Sequence, residues 1–189
     1  MARPSVADER REQIIEATLR TISEHGISGT TLHRIADAAG MSRGHVRHFV
    51  GNRDRLLLDT ARAFYADENG RPAILPAAVD GLDGALDYLF GTEFAASSSE
   101  NAIVLAFVEL ARSTPEIAEV LAAAYSSTRE RLAAYIAEAK HGAPEAARDA
   151  AAQGVLSAAL GNVFIGDFDR DEGRTARARA AVDALLAAL

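Results

Sequence analysis

Between positions 43 and 48 the chain places two guanidinium groups (Arg43, Arg47) and two imidazoles (His45, His48) around Gly44, with no carboxylate among them. A guanidinium is a permanent cation whose planar fork of donors fits phosphate oxygens and the O6/N7 edge of guanine, and an imidazole donates or accepts. That chemistry suits binding to nucleic acid rather than bond breaking. His45 and His48 have the i, i+3 spacing of a metal pair, but no carboxylate or cysteine stands beside them to complete a ligand set. The chain has no cysteine, which excludes disulfides, thiol catalysis and cysteine-ligated zinc. No recognisable nucleophile or phosphate loop is present, so no catalytic residue, metal or cofactor is assigned.

Those side chains need a short helix held at a fixed angle. Thr30 and Thr31 each offer an N-cap oxygen to a helix whose apolar positions Leu32, Ile35, Ala36 and Ala39 fall on one face. Gly40 stops it, because glycine takes the left-handed backbone of a helix C-terminus. Ser42 caps the next helix at once, with Met41 and Val46 spaced as a hydrophobic staple. Asn52 caps a third, which opens with Arg53 and Arg55. Helix, glycine turn and short basic helix is the layout of a helix-turn-helix, whose second helix enters the major groove. Thr31, Ser42 and Arg53 are then expected at phosphates, which hydroxyls, helix N-termini and cations suit. Arg43 and His45 are expected near base edges, Arg43 as a bidentate donor to guanine. Gly44 allows close backbone approach, Arg47 and His48 meet base or phosphate, and Arg34 reads as a solvated residue.

From Thr30 to Gly44 the chain follows T-T-x-x-x-I-A-x-x-A-G-[apolar]-S-x-G, continued by R-H-F-V-G-N-R-D-R-L-L from Arg47 to Leu57. This frame resembles the TetR family of bacterial one-component regulators, over roughly the first third of the chain. Arg47 stands where members usually carry an aromatic residue, Phe49 where they carry His or Tyr, and Arg53 where a lysine is common. The resemblance implies a ligand pocket among the C-terminal helices and a four-helix dimer interface built by the last two helices and their partners.

Bulk charge argues at first against DNA, since the net charge is −7. The distribution of that charge points the other way. The first 60 residues hold nine arginines against eight carboxylates, and the remainder holds 11 basic against 19 acidic residues. A small positive face on an acidic molecule can hold one short DNA segment and discourage nonspecific coating. Composition is 49% hydrophobic but only 6% aromatic and rich in alanine, the best helix former, which points to an all-α fold. There is no apolar run of membrane-spanning length and no apolar signal-peptide core, so no membrane association and a cytoplasmic location are expected.

Along the chain, residues 1 to about 7 read as a disordered leader and Asp8 to His25 as a helix ended by Gly26. Asn52 to about Glu68 reads as a longer helix running on without a break, so domains are expected at 1–52 and 53–189. Asn69 to Pro76 is a loop. Further helices are expected over Asp80–Ala96, over an apolar and buried Asn101–Arg112, from Thr114 to Lys140, over Ala143–Phe164 and over Thr175–Leu189, with Ser97–Ser99 as punctuation. Asp167–Gly173 echoes a calcium loop, but Glu172 and Ala178 occupy the places that require glycine and glutamate, so it reads as an acidic connection.

Phe64, Tyr88, Phe107 and Tyr125 lie on different helices and either line a cavity for a small apolar or aromatic effector or form plain core. Ala151, Val155 and Ala158, with Val182, Leu185, Leu186 and Leu189, form small and apolar stripes that suit either intramolecular core or the implied dimer interface. The reading is a homodimeric, ligand-responsive transcriptional regulator, a repressor, on a near-palindromic double-stranded DNA operator. Two alternatives stand beside it: a helical interaction module that does not bind DNA, and a small all-α enzyme using groups such as Glu109 and Arg112.

Overall fold

The computed structural model describes residues 5–95 and 98–189. Its described residues are all-α apart from an isolated antiparallel bridge between Ala66 and Pro72. The helices are α1 (Val6–Gly29), α2 (Leu32–Ala38), α3 (Arg43–Val50), α4 (Arg53–Phe64), α5 (Gly81–Leu89), α6 (Thr92–Ala95), α7 (Ser98–Ala111), α8 (Pro115–Ala139), α9 (Glu145–Gly166) and α10 (Arg174–Ala187). The chain forms two compact units, Met1–Tyr65 with Ala102–Leu121, and Ala66–Asn101 with Ala122–Leu189. The expected boundary after residue 52 is thus displaced. Helix α4 belongs to the first unit, where it packs on α1 and α3.

In the first unit α1 starts two residues before the expected Asp8, because Ser5 and Asp8 form a capping box: Asp8 N–H donates to Ser5 Oγ at 3.2 Å and Ser5 N–H to Asp8 Oδ2 at 3.3 Å. The rest of the expected leader, residues 1–4, lies outside the described residues. Gly26 breaks the helix at φ 64°, and Thr30 closes the turn that follows, its Oγ1 donating to Gly26 O at 2.7 Å. Ile14, Ala17, Ile35, Ala36, Val46 and Leu56 form the core of the unit, with Met41 and Phe49 packed against it. Burial of such side chains stabilises by about 25 cal/mol per Å² of apolar surface. Helix α4 ends at Phe64 rather than near Glu68. There the Asp67 carboxylate accepts from the amides of Asn69 and Arg71, both at 2.9 Å, turning the chain into the bridge. The Arg71 amide, and then that of Asn69, hold the Asp67 pKa below the ordinary carboxylate value.

The second unit is built on Leu86, Leu89, Leu132, Ile136, Val155, Leu156 and Val182. Arg131 on α8 pins the segment after the bridge. Its guanidinium donates to Leu75 O at 3.2 Å, Pro76 O at 2.9 Å and Val79 O, and the Tyr135 hydroxyl donates to Val79 O at 2.8 Å. The expected Asp80–Ala96 helix is split, with α5 ending at Leu89 and α6 starting at Thr92; Ala96 and Ser97 lie outside the described residues. Helix α7 is less buried than its apolar sequence suggests, since Leu105 is 47% and Val108 41% exposed. Helices α9 and α10 pack closely because position 154 has no side chain. A Cβ on Gly154 would sit 2.7 Å from Leu185 Cδ2. Among the described residues no helix is long and apolar enough to cross a membrane.

Candidate nucleic-acid interface

Helix α3 owes its start to Ser42, whose hydroxyl accepts the His45 N–H at 3.2 Å. Val46 and Val50 face the core. Arg43, Gly44, His45, Arg47 and His48 are all exposed, so the expected cluster forms one solvent face. Phe49 is half-buried between the two imidazoles, with ring centroids 5.0 Å from His45 and 5.3 Å from His48. Among the described residues neither Arg43 nor Arg47 is engaged in an ion pair. Thr31, not Thr30, caps α2, accepting Arg34 N–H at 3.3 Å. Both capping hydroxyls are used as acceptors there, which leaves their O–H donors available to a phosphate.

The turn between α2 and α3 is a Schellman motif. Gly40 at φ 64° lets Met41 N–H reach Ala36 O at 2.9 Å and Gly40 N–H reach Asp37 O at 3.1 Å. The remaining carbonyls at the helix ends are taken by long side chains. Arg20 donates to Ala38 O at 3.0 Å, Gln13 to Ala39 O at 2.8 Å and Arg11 to Phe49 O at 3.3 Å. Arg34, read from sequence as solvated, donates to Gly29 O at 2.8 Å. The sequence gives no sign of the parts played by Arg11, Gln13 and Arg20, whose partners lie 18 to 38 residues away.

Arg53 requires a correction. Its Nε donates to Thr30 O at 2.6 Å and its Nη2 to Ile27 O at 2.7 Å, so most of the fork is spent on the backbone at the end of α1. It fixes α4 to α1 instead of standing free for a phosphate. Asn52 caps α4 as expected, accepting Arg55 N–H at 2.8 Å, and Arg55 itself pairs with Asp59 at 3.1 Å.

The other predicted residues fare unequally. Phe64 and Phe107 pack together in the first unit with centroids 6.0 Å apart, and Phe107 is fully buried. Tyr88, its ring tilted against Phe94 with centroids 5.6 Å apart, and half-buried Tyr125 belong to the second unit. Of the interface candidates, Ala151, Val155, Val182 and Leu186 are buried inside a single chain at 5% exposure or less, and so have no surface to offer a second copy. Ala158 and Leu189 keep part of theirs, and Leu185 is 39% exposed. In the Asp167–Gly173 connection Asp171 is tied up locally, accepting Gly173 N–H at 2.8 Å and pairing with Arg177.

A capped, braced trihelical unit presenting an acid-free face of arginine and histidine on its third helix is a helix-turn-helix DNA-binding unit. Residues 14–60 match the family described as bacterial regulatory proteins, tetR family. The match is confined to this unit, which is similar to the DNA-binding part of TetR-family regulators. It is 45% identical over 67 residues to the HTH-type transcriptional regulator BetI of Burkholderia thailandensis, a match covering 35% of this chain and 34% of that one. The chain thus aligns with only about a third of the length of that relative. Over the whole fold it resembles a transcriptional regulator from Rhodococcus sp. Rha1, with a TM-score of 0.73, 20% identity and 94% of each chain covered. A putative transcriptional regulator from Saccharomonospora viridis, solved in complex with choline, matches with a TM-score of 0.73, 17% identity and 95% and 96% coverage.

Proposed function

We propose that the protein is a homodimeric, ligand-responsive transcriptional regulator acting as a repressor in the cytoplasm. Each protomer places α3 in the major groove of one half of a near-palindromic operator. The observation that carries this reading is the exposed face of Arg43, Gly44, His45, Arg47 and His48, free of carboxylates and held by two glycine turns at φ 64° and 76°. Arg43 reads a base edge, Arg47 and His48 meet base or phosphate, and the hydroxyls of Thr31 and Ser42 donate to phosphates.

A second copy is supported by the apolar surface left on and beside α9 and α10, where Ile165 is 42%, Phe168 79% and Leu185 39% exposed. Ligand control is supported by the relative of the same fold that holds choline. A ligand that releases the operator must bind the free protein better than the bound one, commonly by about 1–3 kcal/mol.

Gel shift with DNA flanking the chain's own gene, set against random DNA over a series of salt concentrations, tests the reading. A specific shift that survives excess random DNA is the expected result. Equal affinity for both DNAs, or none for either, would overturn it.

A further inference from the structure

We infer that DNA binding through α3 is proton-linked: His45 and His48 take up protons as they meet the duplex, so affinity rises as pH falls from about 8 to about 6. This linkage rests on the reading above that α3 enters the groove of a DNA duplex.

Two kinds of cation share the outer face of α3. Arg43 and Arg47 carry a permanent charge. Histidine is the side chain whose charge changes between about pH 5 and pH 8, and its protonated ring donates from both nitrogens where the neutral ring donates from one. Phosphate oxygens and the O6 and N7 of guanine are all acceptors, so only donors serve against them. Both imidazoles are exposed, and both pack on the half-buried ring of Phe49, with centroids 5.0 Å and 5.3 Å away. That shared support limits their rotamers and keeps them on the face that meets the duplex.

The absence of an internal counter-charge sets these two apart. His33 stands 3.5 Å from Asp37 and His25 3.8 Å from Glu24, so a charge on either is answered within the protein. Among the described residues neither His45 nor His48 has an ion pair. Helix α3 packs on α1, α2 and α4, whose charged groups are engaged elsewhere or lie in solvent. On α1, Arg11 donates to Phe49 O at 3.3 Å, and Glu9, Glu12 and Glu16 are exposed. On α2, Asp37 is beside His33 and Arg34 donates to Gly29 O. On α4, Asp54 lies 3.9 Å from Arg53, and Asp59 pairs with Arg55 and Arg62. The phosphates of a bound duplex supply the missing anion, and an anion beside an imidazole favours its charged form. Binding and protonation therefore promote each other.

The test is a fluorescence-anisotropy titration of the full chain with two labelled duplexes, one of DNA flanking its own gene and one of random sequence. It is run at about pH 6 and about pH 8 over a series of salt concentrations. Binding should be at least about tenfold tighter at the lower pH. The salt slope should be steeper there by about 0.9 for each histidine on a phosphate. The double variant His45→Gln with His48→Gln should lose both differences, and His33→Gln should keep them. His48→Lys, charged at both pH values, should narrow the pH difference and steepen the slope at the higher pH. Circular dichroism at both pH values checks that each variant folds. Affinity independent of pH overturns the inference, as does a dependence that survives in the double variant. Specific binding to the flanking DNA without pH dependence leaves the operator reading standing and removes this one. The same pH dependence on both duplexes, with no preference between them, supports this one and counts against the operator reading. No binding to either duplex at either pH overturns both.

Discussion

Arg53 Nε donates to the carbonyl oxygen of Thr30 at 2.6 Å, tying the first residue of α4 to the residue that closes α1. Its Nη2 holds Ile27 O at 2.7 Å, so one side chain serves two carbonyls at the end of α1. Arg53→Ala removes both charged hydrogen bonds, each contributing about 1.5–3 kcal/mol. Since the side chain is 34% exposed, the lower end is expected, about 1–3 kcal/mol in total by urea denaturation. Operator binding should weaken with an unchanged salt slope. A slope shallower by about one unit would return Arg53 to the phosphate contacts.

Arg43 and Arg47 sit on the same exposed face, and Arg43, nearer the start of α3, is the one expected at a base edge. Arg43→Ala should cost about 1–3 kcal/mol in operator affinity and relax discrimination at one base position per half-site. Competition gel shifts with single-base operator variants measure this. Loss of equal size on specific and random DNA would place Arg43 on a phosphate.

Exposure separates the apolar residues of α9 and α10 into two classes. Leu185→Glu changes a side chain 39% exposed in one chain, so the fold should persist while sedimentation shows monomer. Val155→Glu buries a carboxylate at a position with 0% exposure and should abolish folding. A folded Leu185→Glu dimer would move the interface elsewhere.

The contact at Gly154 predicts coupling. Gly154→Ala gains helix propensity of about 0.8–1.0 kcal/mol. It also drives a methyl to 2.7 Å from Leu185 Cδ2. Leu185→Ala opens that space, so the double mutant should exceed the sum of the single changes by about 0.5–3 kcal/mol in stability. Additive effects would mean that Leu185 swings aside freely.

Asp67 predicts the acid behaviour of the turn after α4. Its folded pKa is below the ordinary value, chiefly through the Arg71 amide. Its contribution is therefore complete above the unfolded carboxylate pKa and is lost as pH falls through the lower folded value. The thermal midpoints of wild type and Asp67→Ala should differ at neutral pH and converge in acid. A gap independent of pH would show that the carboxylate charge plays no part.

The helix-turn-helix was legible because its signals are local. Caps at Thr31, Ser42 and Asn52, the stop at Gly40 and the alternation of Val46 and Val50 with Arg43, Arg47 and His48 act over one or two turns of helix, so neighbours in sequence determine them. The sequence by itself thus determined an all-α chain, the position of α3 and the composition of its outer face. Tertiary structure decided what no spacing shows. Arg53 turned onto two carbonyls at the end of α1, one of which, Ile27 O, also accepts Thr30 N–H, and Arg11, Gln13 and Arg20 met helix ends far along the chain. The stripe from Ala151 to Leu189 was divided by packing, since a helical apolar face covers core and interface alike until its neighbours are placed. Val155 and Val182 went inside and Leu185 stayed at the surface. Asn101, near the start of α7, met its partner Asp167 only across 66 residues of chain, a separation that no local spacing reveals.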